Sequence, residues 1–260
     1  MHLELPEDIK QALQGFSIKN GPSGLSGTNI YRFEKENKMY FLKVVDVNNR
    51  FIDELEVEYE VLKWLEGKFQ VPQVITFKKT SNKHFLLMTA IKGNTLEKLY
   101  HQSKSSEEIV KIYAESLKLI HGIKISGCPN KEEDEFMLLK AREYLELGIN
   151  LDNMEDKYKN LTPLELYDKL LSLKPEKNDN VFIHGDYCFD NIIINNNMLN
   201  GIIDVGRAGI GDKYKDIALA VRNIQGDIGE QWLDLFFNIY GITNPDWNKI
   251  EFYIIMDEFY

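Results

Sequence analysis

The sequence predicts a two-lobed α+β protein with a small β-rich N-terminal lobe and a larger, mostly helical C-terminal lobe. Before residue 92 the chain shows hairpin patterns and one main amphipathic helix, whereas much of the rest has helical periodicity. Lys92-Gly93-Asn94 marks the change, so we place a hinge at residues 90–93 and divide the chain into residues 1–91 and 92–260. A chain of 260 residues can bury a substantial core in either lobe.

The composition restricts the class of partner. Hydrophobic residues make up 43% and charged residues 28% of the chain, which is typical of a soluble globular protein. The formal net charge of -10 argues against a nucleic-acid partner, because binding to phosphate backbones depends on Lys and Arg. The acidic balance favours a cationic substrate, although acidity also serves solubility alone.

The cysteine content and the N-terminus predict a cytoplasmic protein. Cys128 and Cys188 are too few for a disulfide framework, which indicates a reducing compartment. The first ten residues have neither a basic nor an apolar signal region, and no stretch reaches the ~18 apolar residues of a membrane span. We therefore expect no membrane partner and a monomer or weak homodimer.

The N-terminal lobe begins with a short helix at residues 6–13, a loop of small residues at 20–29 and a hairpin formed by residues 30–33 and 39–45. The loop lacks the Gly-Lys-Ser/Thr ending of a P-loop. We interpret it as a phosphate-covering loop in which Ser26 and the neighbouring backbone N–H groups are donors. The alternative is a flexible turn.

Lys43 is a charged residue in the middle of an apolar strand. Burying an ammonium group without a partner costs several kcal/mol, so Lys43 needs a carboxylate. The next segment, residues 50–65, has helical periodicity and carries four glutamates, at positions 54, 56, 58 and 60. One of them can pair with Lys43 to hold its ammonium at nucleotide phosphates, while most of the others form a solvated face.

Near the predicted hinge, four residues are candidates for contact with a purine. Two further strands precede it, at residues 74–77 and 84–90. Thr89 and Ile91 can form main-chain hydrogen bonds with the base, and Phe41 and Met88 can contact its faces. Core packing is an equal alternative for each of these side chains.

The C-terminal lobe contains helices and one acidic loop. Helical patterns occur at residues 106–121, after the capping box of Ser105 and Glu108, and at 131–147, from 163, at 212–221, at 228–240 and from 245. The loop at residues 151–160 contains Asp152, Glu155 and Asp156. Acidic loops are usually only solvent-exposed, so this one gains meaning if the substrate is a polycation.

The stretch at residues 181–207 contains three polar positions at fixed spacing. Asp186, in His-Gly-Asp, is followed by four residues and then Asn191, and a hairpin of apolar runs at 192–194 and 199–205 leads to Asp204. Asp186 can accept the proton of an attacking hydroxyl, while Asn191 and Asp204 supply the oxygen ligands that Mg²⁺ prefers. The alternative is a simple turn and strand end, which this spacing disfavours.

Together these motifs resemble the aminoglycoside 3'-phosphotransferases, bacterial antibiotic-resistance kinases with a protein-kinase-like fold. The resemblance covers nearly the whole chain and is strongest at residues 181–230, with further likeness at 64–68, 71–72 and 253–260. The core motif is shared with choline kinases and other small-molecule kinases, whereas the closing segment is more selective.

The resemblance implies a role for each matching residue. Asp186 would be the catalytic aspartate, and Asn191 and Asp204 would hold two Mg²⁺ ions that bridge the phosphates of ATP. Lys43 would contact the α- and β-phosphates and pair with Glu58. In addition, Ser26 would cover the phosphates and Phe41 would stack on the adenine.

For the substrate, the family uses acidic residues and the chain end. The matching positions here are Asp152, Glu155, Asp156, Asp190, Arg207, Asp227, Asp257, Glu258 and the terminal carboxylate of Tyr260. Arg207 is a cation and would orient a neighbouring acid rather than contact amines. Gly226, Tyr260 and the basic residues Lys157 and Lys159 depart from the family pattern.

The activity implied is transfer of the γ-phosphoryl group of ATP to a hydroxyl of an aminoglycoside, with the 3'-OH favoured. A kinase for choline, homoserine or a macrolide sugar is the alternative within the same enzyme class. A non-catalytic nucleotide-binding relative is the alternative outside it.

Overall fold

The computed structural model describes residues 4–20, 27–102, 104–148 and 154–260 of the chain. The chain divides into two compact units: Met1–Asn94 with Ile192–Arg207, and Thr95–Asn191 with Ala208–Tyr260. The predicted boundary between residues 91 and 92 stays a prediction, and residues 192–207 pack within the first unit. Ser26 and Asp152 lie outside the described residues.

The secondary structure alternates short strands and helices. Within the described residues the strands are β1 (Ser17–Asn20), β2 (Asn29–Lys35), β3 (Lys38–Asp46), β4 (Val74–Lys79), β5 (Lys83–Thr89), β6 (Asn94–Thr95), β7 (Asn180–Ile183), β8 (Ile192–Asn195), β9 (Met198–Ile202) and β10 (Gly209–Asp212). The helices are α1 (Glu7–Ala12), α2 (Ile52–Leu65), α3 (Leu96–Gln102), α4 (Ser106–His121), α5 (Asp134–Leu147), α6 (Pro163–Ser172), α7 (Tyr214–Asn223), α8 (Leu233–Tyr240) and α9 (Trp247–Asp257).

The first unit is built on an antiparallel sheet in the order β1-β2-β3-β5-β4. Side chains alternate between the two faces of a strand, so Leu42 and Val44 of β3 lie on the same face as Phe85 and Leu87 of β5. This apolar face packs against α1 through the buried Ile9. The other face, next to α2, therefore receives Phe41 and Lys43.

In the second unit, two capping boxes begin helices where the sequence predicts them. The Ser105 side chain accepts from the Glu108 N–H and the Glu108 carboxylate accepts in return, which begins α4. Thr162 and Glu165 form the same arrangement before Pro163, the first residue of α6. Among the described residues, no helix combines the length and apolar composition needed to cross a bilayer.

Two predicted helices begin later than expected because the residues before them form β-pairs. Residues 209–212 pair with β7 as β10, so α7 begins at Tyr214 rather than at Asp212. Lys131 bridges Ile210 of that strand, which delays the start of α5 to Asp134. Short, glycine-rich strands have weak periodicity, so the sequence alone did not indicate β10.

Two further predictions extend too far. The helix predicted at 228–240 is interrupted because Gly229 has φ 124°, and α8 begins only at Leu233. The strand predicted to end at Val205 ends at Ile202, because Asp204 takes a left-handed backbone with φ 59°. In both cases a residue with positive φ interrupts the regular backbone that the sequence pattern predicts.

The sheet core gives a stability prediction. Leu42 is 0% exposed, so Leu42→Ala should lower the free energy of unfolding by roughly 2–5 kcal/mol through lost burial and a residual cavity. Leu119→Ala on α4, where the side chain is 58% exposed, is the control and should cost less than about 0.5 kcal/mol. Denaturant unfolding measures both, and equal losses would contradict the packing described.

Candidate active site

Lys43 is the centre of a charged cluster in the first unit. Its Nζ donates to Glu58 Oε1 and Oε2 at 2.8 and 2.7 Å and to Asp204 Oδ1 at 2.7 Å. The Lys43 and Glu58 side chains are 10% and 3% exposed, whereas that of Asp204 is 48% exposed. The structure thus brings together the predicted Lys43–Glu58 pair and adds Asp204 as its accessible third member.

The electrostatics of this cluster keep the lysine charged. Burial alone would lower the pKa of Lys43, but attraction to Asp204 and Glu58 outweighs it and raises the pKa above its ordinary value. Burial also raises the pKa of Glu58, against the opposing pull of Lys43. Of the two carboxylates that contact this ammonium, that of Asp204 is the more exposed.

The backbone at Asp204 is in the left-handed region, with φ 59°. This conformation costs an L-residue roughly 1–2 kcal/mol, although Asp tolerates it better than most. It persists because the hairpin of β8 and β9 and the contact with Lys43 fix the position. Backbone strain of this kind is concentrated at functional sites.

In the second unit, Asn191 holds Asp186. The Asn191 amide Nδ2 donates to the Asp186 carbonyl at 2.9 Å and to Asp186 Oδ2 at 3.0 Å. Asn191 is 7% exposed and is the last residue of a 3₁₀ turn at Phe189–Asn191. Its backbone N–H donates to the Cys188 carbonyl. Because the two hydrogen bonds to Asp186 use the amide nitrogen, the amide oxygen is the group that Asn191 would offer to a metal ion.

The side-chain oxygens of Asn191 and Asp204 are ligands of the kind that Mg²⁺ prefers. The ion takes hard oxygen ligands and needs only one or two from the protein, since waters and phosphates complete its shell. In the second unit Asn191 offers an amide oxygen, and in the first unit Asp204 offers a half-exposed carboxylate. Both side chains have the chemistry that the sequence prediction requires.

A buried aspartate supports the loop of Asp186. Asp216 of α7 is 0% exposed and accepts from the backbone N–H groups of His184 and Gly185 at 2.7 and 2.8 Å. His121 Nε2 lies 3.0 Å from the same carboxylate. Burial alone would raise the pKa of Asp216, but His121 and His184 outweigh it and hold the pKa below its ordinary value.

Sequence reasoning missed the role of Asp216, although one signal was present. Asp216 directly precedes the apolar stretch Ile217–Val221 of α7, where burial of a carboxylate demands a partner. Gly185 has φ 80°, a backbone that favours glycine and that turns its N–H to Asp216. Asp216 therefore fixes the residues directly before Asp186.

The residue after Asp186 is anchored by an aromatic pair. Tyr187 donates its hydroxyl to the Tyr113 carbonyl at 2.6 Å, and Tyr113 donates to the Tyr187 carbonyl at 2.8 Å. Their rings stack with centroids 4.5 Å apart. Both side chains are 0% exposed, so α4 holds this part of the loop rigidly.

The predicted purine-contacting residues lie at the end of the first sheet. Phe41 is directly opposite Met88 in the β3–β5 register, on the same face as Lys43. The Thr89 N–H donates to the Gln73 carbonyl at 2.9 Å, so a contact from Thr89 to a purine would use its own carbonyl. Ile91 follows β5 and is partly buried.

Three of the predicted substrate-binding acids belong to one cluster in the second unit. The Glu155 N–H donates to Glu258 Oε2 at 3.4 Å, and Arg222 contacts the adjacent Asp257 at 2.6 Å. Burial, and then the charge of Glu155, raise the pKa of Glu258 to about 7. Within the described residues, Glu155 Oε1 is buried without a hydrogen-bond partner, although Lys157 lies 3.2 Å from the other oxygen.

The other predicted substrate residues have separate environments. Asp156 is exposed and paired with Lys159 at 2.6 Å, which lowers the pKa of its carboxyl. Asp190 and Asp227 are exposed, and the Tyr260 hydroxyl donates to the Met137 carbonyl at 3.1 Å. Arg207 lies in the first unit, where its Nε donates to Glu54 at 3.0 Å.

Comparisons with known proteins identify relatives over nearly the whole chain. The profile of the phosphotransferase enzyme family matches residues 17–253. An aminoglycoside 3'-phosphotransferase from Enterococcus faecalis is 35% identical over 263 residues, covering 99% of both chains.

Solved structures share the fold. The crystal structure of an aminoglycoside-3'-phosphotransferase of type VIII aligns with a TM-score of 0.82 at 23% identity, covering 98% of this chain and 100% of that chain. An aminoglycoside phosphotransferase from Streptomyces rimosus, solved with ADP and streptomycin, gives a TM-score of 0.71 at 22% identity, with 91% and 93% covered. The predicted two-lobed, protein-kinase-like α+β fold is confirmed.

The support of the Asp186 loop gives a second prediction. Asp216→Ala leaves two buried N–H groups unpaired and should lower the free energy of unfolding by about 3 kcal/mol or more. The control is Asp234→Ala, which removes an exposed aspartate from the first turn of α8 and should cost about 1 kcal/mol at most. Denaturant unfolding compares them, and equal losses would show that the Asp216 hydrogen bonds contribute nothing.

Proposed function

This chain belongs to the aminoglycoside 3'-phosphotransferase family, and on that premise we propose that it transfers the γ-phosphoryl group of ATP to an aminoglycoside hydroxyl, the 3'-OH being favoured. The observation that carries the proposal is the cluster of the buried Lys43 and Glu58 with the half-exposed Asp204. An ammonium held charged by two carboxylates is suited to bind phosphate oxygens. Such an activity would inactivate the drug and confer resistance.

Each part of the nucleotide site has a proposed task. Lys43 would donate to the α- and β-phosphates, while Phe41 and Met88, with main-chain groups of Thr89 and Ile91, would contact the purine. Asn191 and Asp204 would hold Mg²⁺. When bound, that ion neutralises charge on the phosphates during transfer.

Asp186 is proposed as the residue that acts on the acceptor hydroxyl. Phosphoryl transfer passes through a loose transition state, so positioning and electrostatics contribute more than proton removal. Asn191 fixes Oδ2 of Asp186, and Asp216 fixes the backbone before it. Asp186 would therefore align the hydroxyl and take its proton late.

The substrate site is proposed at the acids near the end of α9. Glu155, Asp257 and Glu258 offer carboxylates to the amines of a polycationic drug, with Asp152, Asp156, Asp190, Asp227 and the terminal carboxylate of Tyr260 as further members. Arg222 holds Asp257 in place. The net charge of -10 would also steer a cation toward the protein.

The direct test is ADP release with a panel of acceptors. We expect turnover with kanamycin and neomycin, dependent on Mg²⁺, and none with choline, homoserine, a macrolide or a 3'-deoxy aminoglycoside. Asp186→Asn should lower kcat by roughly 10²–10⁴-fold and serves as the blank.

Other outcomes of this panel have distinct meanings. Turnover of choline, homoserine or a macrolide alone would refute the substrate class, and turnover of the 3'-deoxy compound would refute the 3'-OH. Failure to bind nucleotide in the presence of Mg²⁺ would favour a non-catalytic protein.

The raised pKa of Glu258 predicts a pH dependence of drug binding. Its carboxyl, with a pKa of about 7, gains a proton as the pH falls from 8 to 6 and can then no longer attract an amine. The KM for the aminoglycoside should rise roughly fivefold over this range, and Glu258→Gln should abolish the rise. Protonation of the drug's own amines acts in the opposite direction but equally on both proteins. The ratio of the wild-type KM to the Glu258→Gln KM therefore isolates the carboxyl, and a ratio that does not rise as the pH falls would contradict the assignment.

A further inference from the structure

A short segment after β9 contacts the beginning of α2 within the first unit. Arg207 Nε donates to Glu54 Oε1 at 3.0 Å, and the Arg207 guanidinium lies 5.8 Å from the centre of the Phe51 ring. The two charged side chains are only 22% and 31% exposed. We call this ion pair and its ring contact the Arg207–Glu54 contact.

The backbones also approach closely at this point. A Cβ placed on Gly206 would lie 2.9 Å from the Glu54 carbonyl oxygen, so only glycine allows the segment to approach the helix in this way. The neighbouring Arg207 then reaches the Glu54 carboxylate. The close approach of the two backbones thus brings the Arg207 side chain within reach of Glu54, and the ion pair itself depends on both side chains.

This contact joins the two elements that supply the carboxylates of Lys43. Glu54 precedes Glu58 by four residues on α2, so the two lie on the same face one turn apart. Arg207 follows Asp204 by three residues in the connected segment. Like charges at this helical spacing repel, and Arg207 compensates the charge of Glu54 next to Glu58.

We propose that Arg207 and Glu54 are positioning residues for the nucleotide and metal site, an inference that rests on the proposed function. They fix the segment of Asp204 against α2, so that Asp204 and Glu58 meet Lys43 in a single arrangement. The family resemblance placed Arg207 among the substrate-binding residues, as a cation that orients a neighbouring acid. Here that acid is Glu54, and the site that the pair supports is the nucleotide and metal site. This role also gives Glu54 a function that no sequence motif indicated.

The test measures binding without turnover. Calorimetry gives the Kd of ADP in the presence of Mg²⁺, and of Mn²⁺ as a second ion, for Arg207→Gln, Glu54→Gln and the double variant. Each single substitution should weaken binding about 10-fold, as expected when a support of a ligating side chain is lost. Because both residues act through one contact, the Kd of the double variant for ADP should be no higher than the higher of the two single-variant values.

The matched control is Asp53→Asn. Asp53 is an exposed carboxylate in the same first turn of α2, so its loss changes the charge near the helix end without touching Arg207. We expect its Kd for ADP to equal that of the wild type. Circular dichroism and the Tm confirm that each variant folds, and Glu54→Gln still tests the contact if Arg207→Gln does not fold.

Steady-state kinetics separate positioning from substrate binding. We expect Arg207→Gln to raise the KM for ATP and to leave the KM for the aminoglycoside unchanged. Three results would each overturn the inference. They are a double variant whose loss of ADP affinity is the product of the two single losses, a Glu54→Gln variant with the wild-type Kd for ADP, and an Arg207→Gln variant that raises only the KM for the aminoglycoside. If the wild type binds ADP but turns over no aminoglycoside, the proposed function fails while the binding cycle still decides the inference.

Discussion

The burial of one ammonium group organises the first unit. Lys43 stands in a strand whose neighbours are apolar, and it can remain charged there only if carboxylates come to it. Glu58 comes from α2 and Asp204 from a segment 161 residues further along the chain. The helix and the distant hairpin are thus bound to the sheet by the same charge, and the group that would bind phosphate is also the one that assembles its surroundings.

The second unit is organised in the same way around a buried negative charge. Asp216 is a buried carboxylate, and it is satisfied by His121 and by two backbone N–H groups directly before Asp186. His121 in turn contacts the Tyr240 hydroxyl through Nδ1 at 2.7 Å, which extends the network to α8. Fully satisfied buried networks of this kind specify one backbone geometry. The loop of Asp186 is therefore held by the Asp216 carboxylate at the residues before Asp186 and by the Tyr113–Tyr187 pair at the residue after it.

Local chemistry in the sequence was sufficient for part of this architecture. The capping boxes at Ser105 and Thr162 determine where α4 and α6 begin, and the lysine in the apolar middle of β3 demands a partner that α2 supplies. Contacts between distant segments carry no such local signal. The pairing of Lys43 with Asp204, the capture of Arg207 by Glu54 and the strand at Gly209–Asp212 depend on tertiary packing. The grouping of Glu155 with the acids near the chain end was recognisable only through the family resemblance, because Glu155 lies 103 residues before Glu258.

The left-handed backbone at Asp204 restricts which amino acids this position can tolerate. With φ 59°, the position disfavours most L-residues, and Asp and Asn are among the few that adopt such a backbone readily. Glutamate would preserve the negative charge but fits this conformation poorly, and asparagine fits the conformation but loses the charge that Lys43 requires. Backbone geometry therefore disfavours glutamate at this position and electrostatics disfavours asparagine. Together they leave aspartate as the residue that meets both requirements.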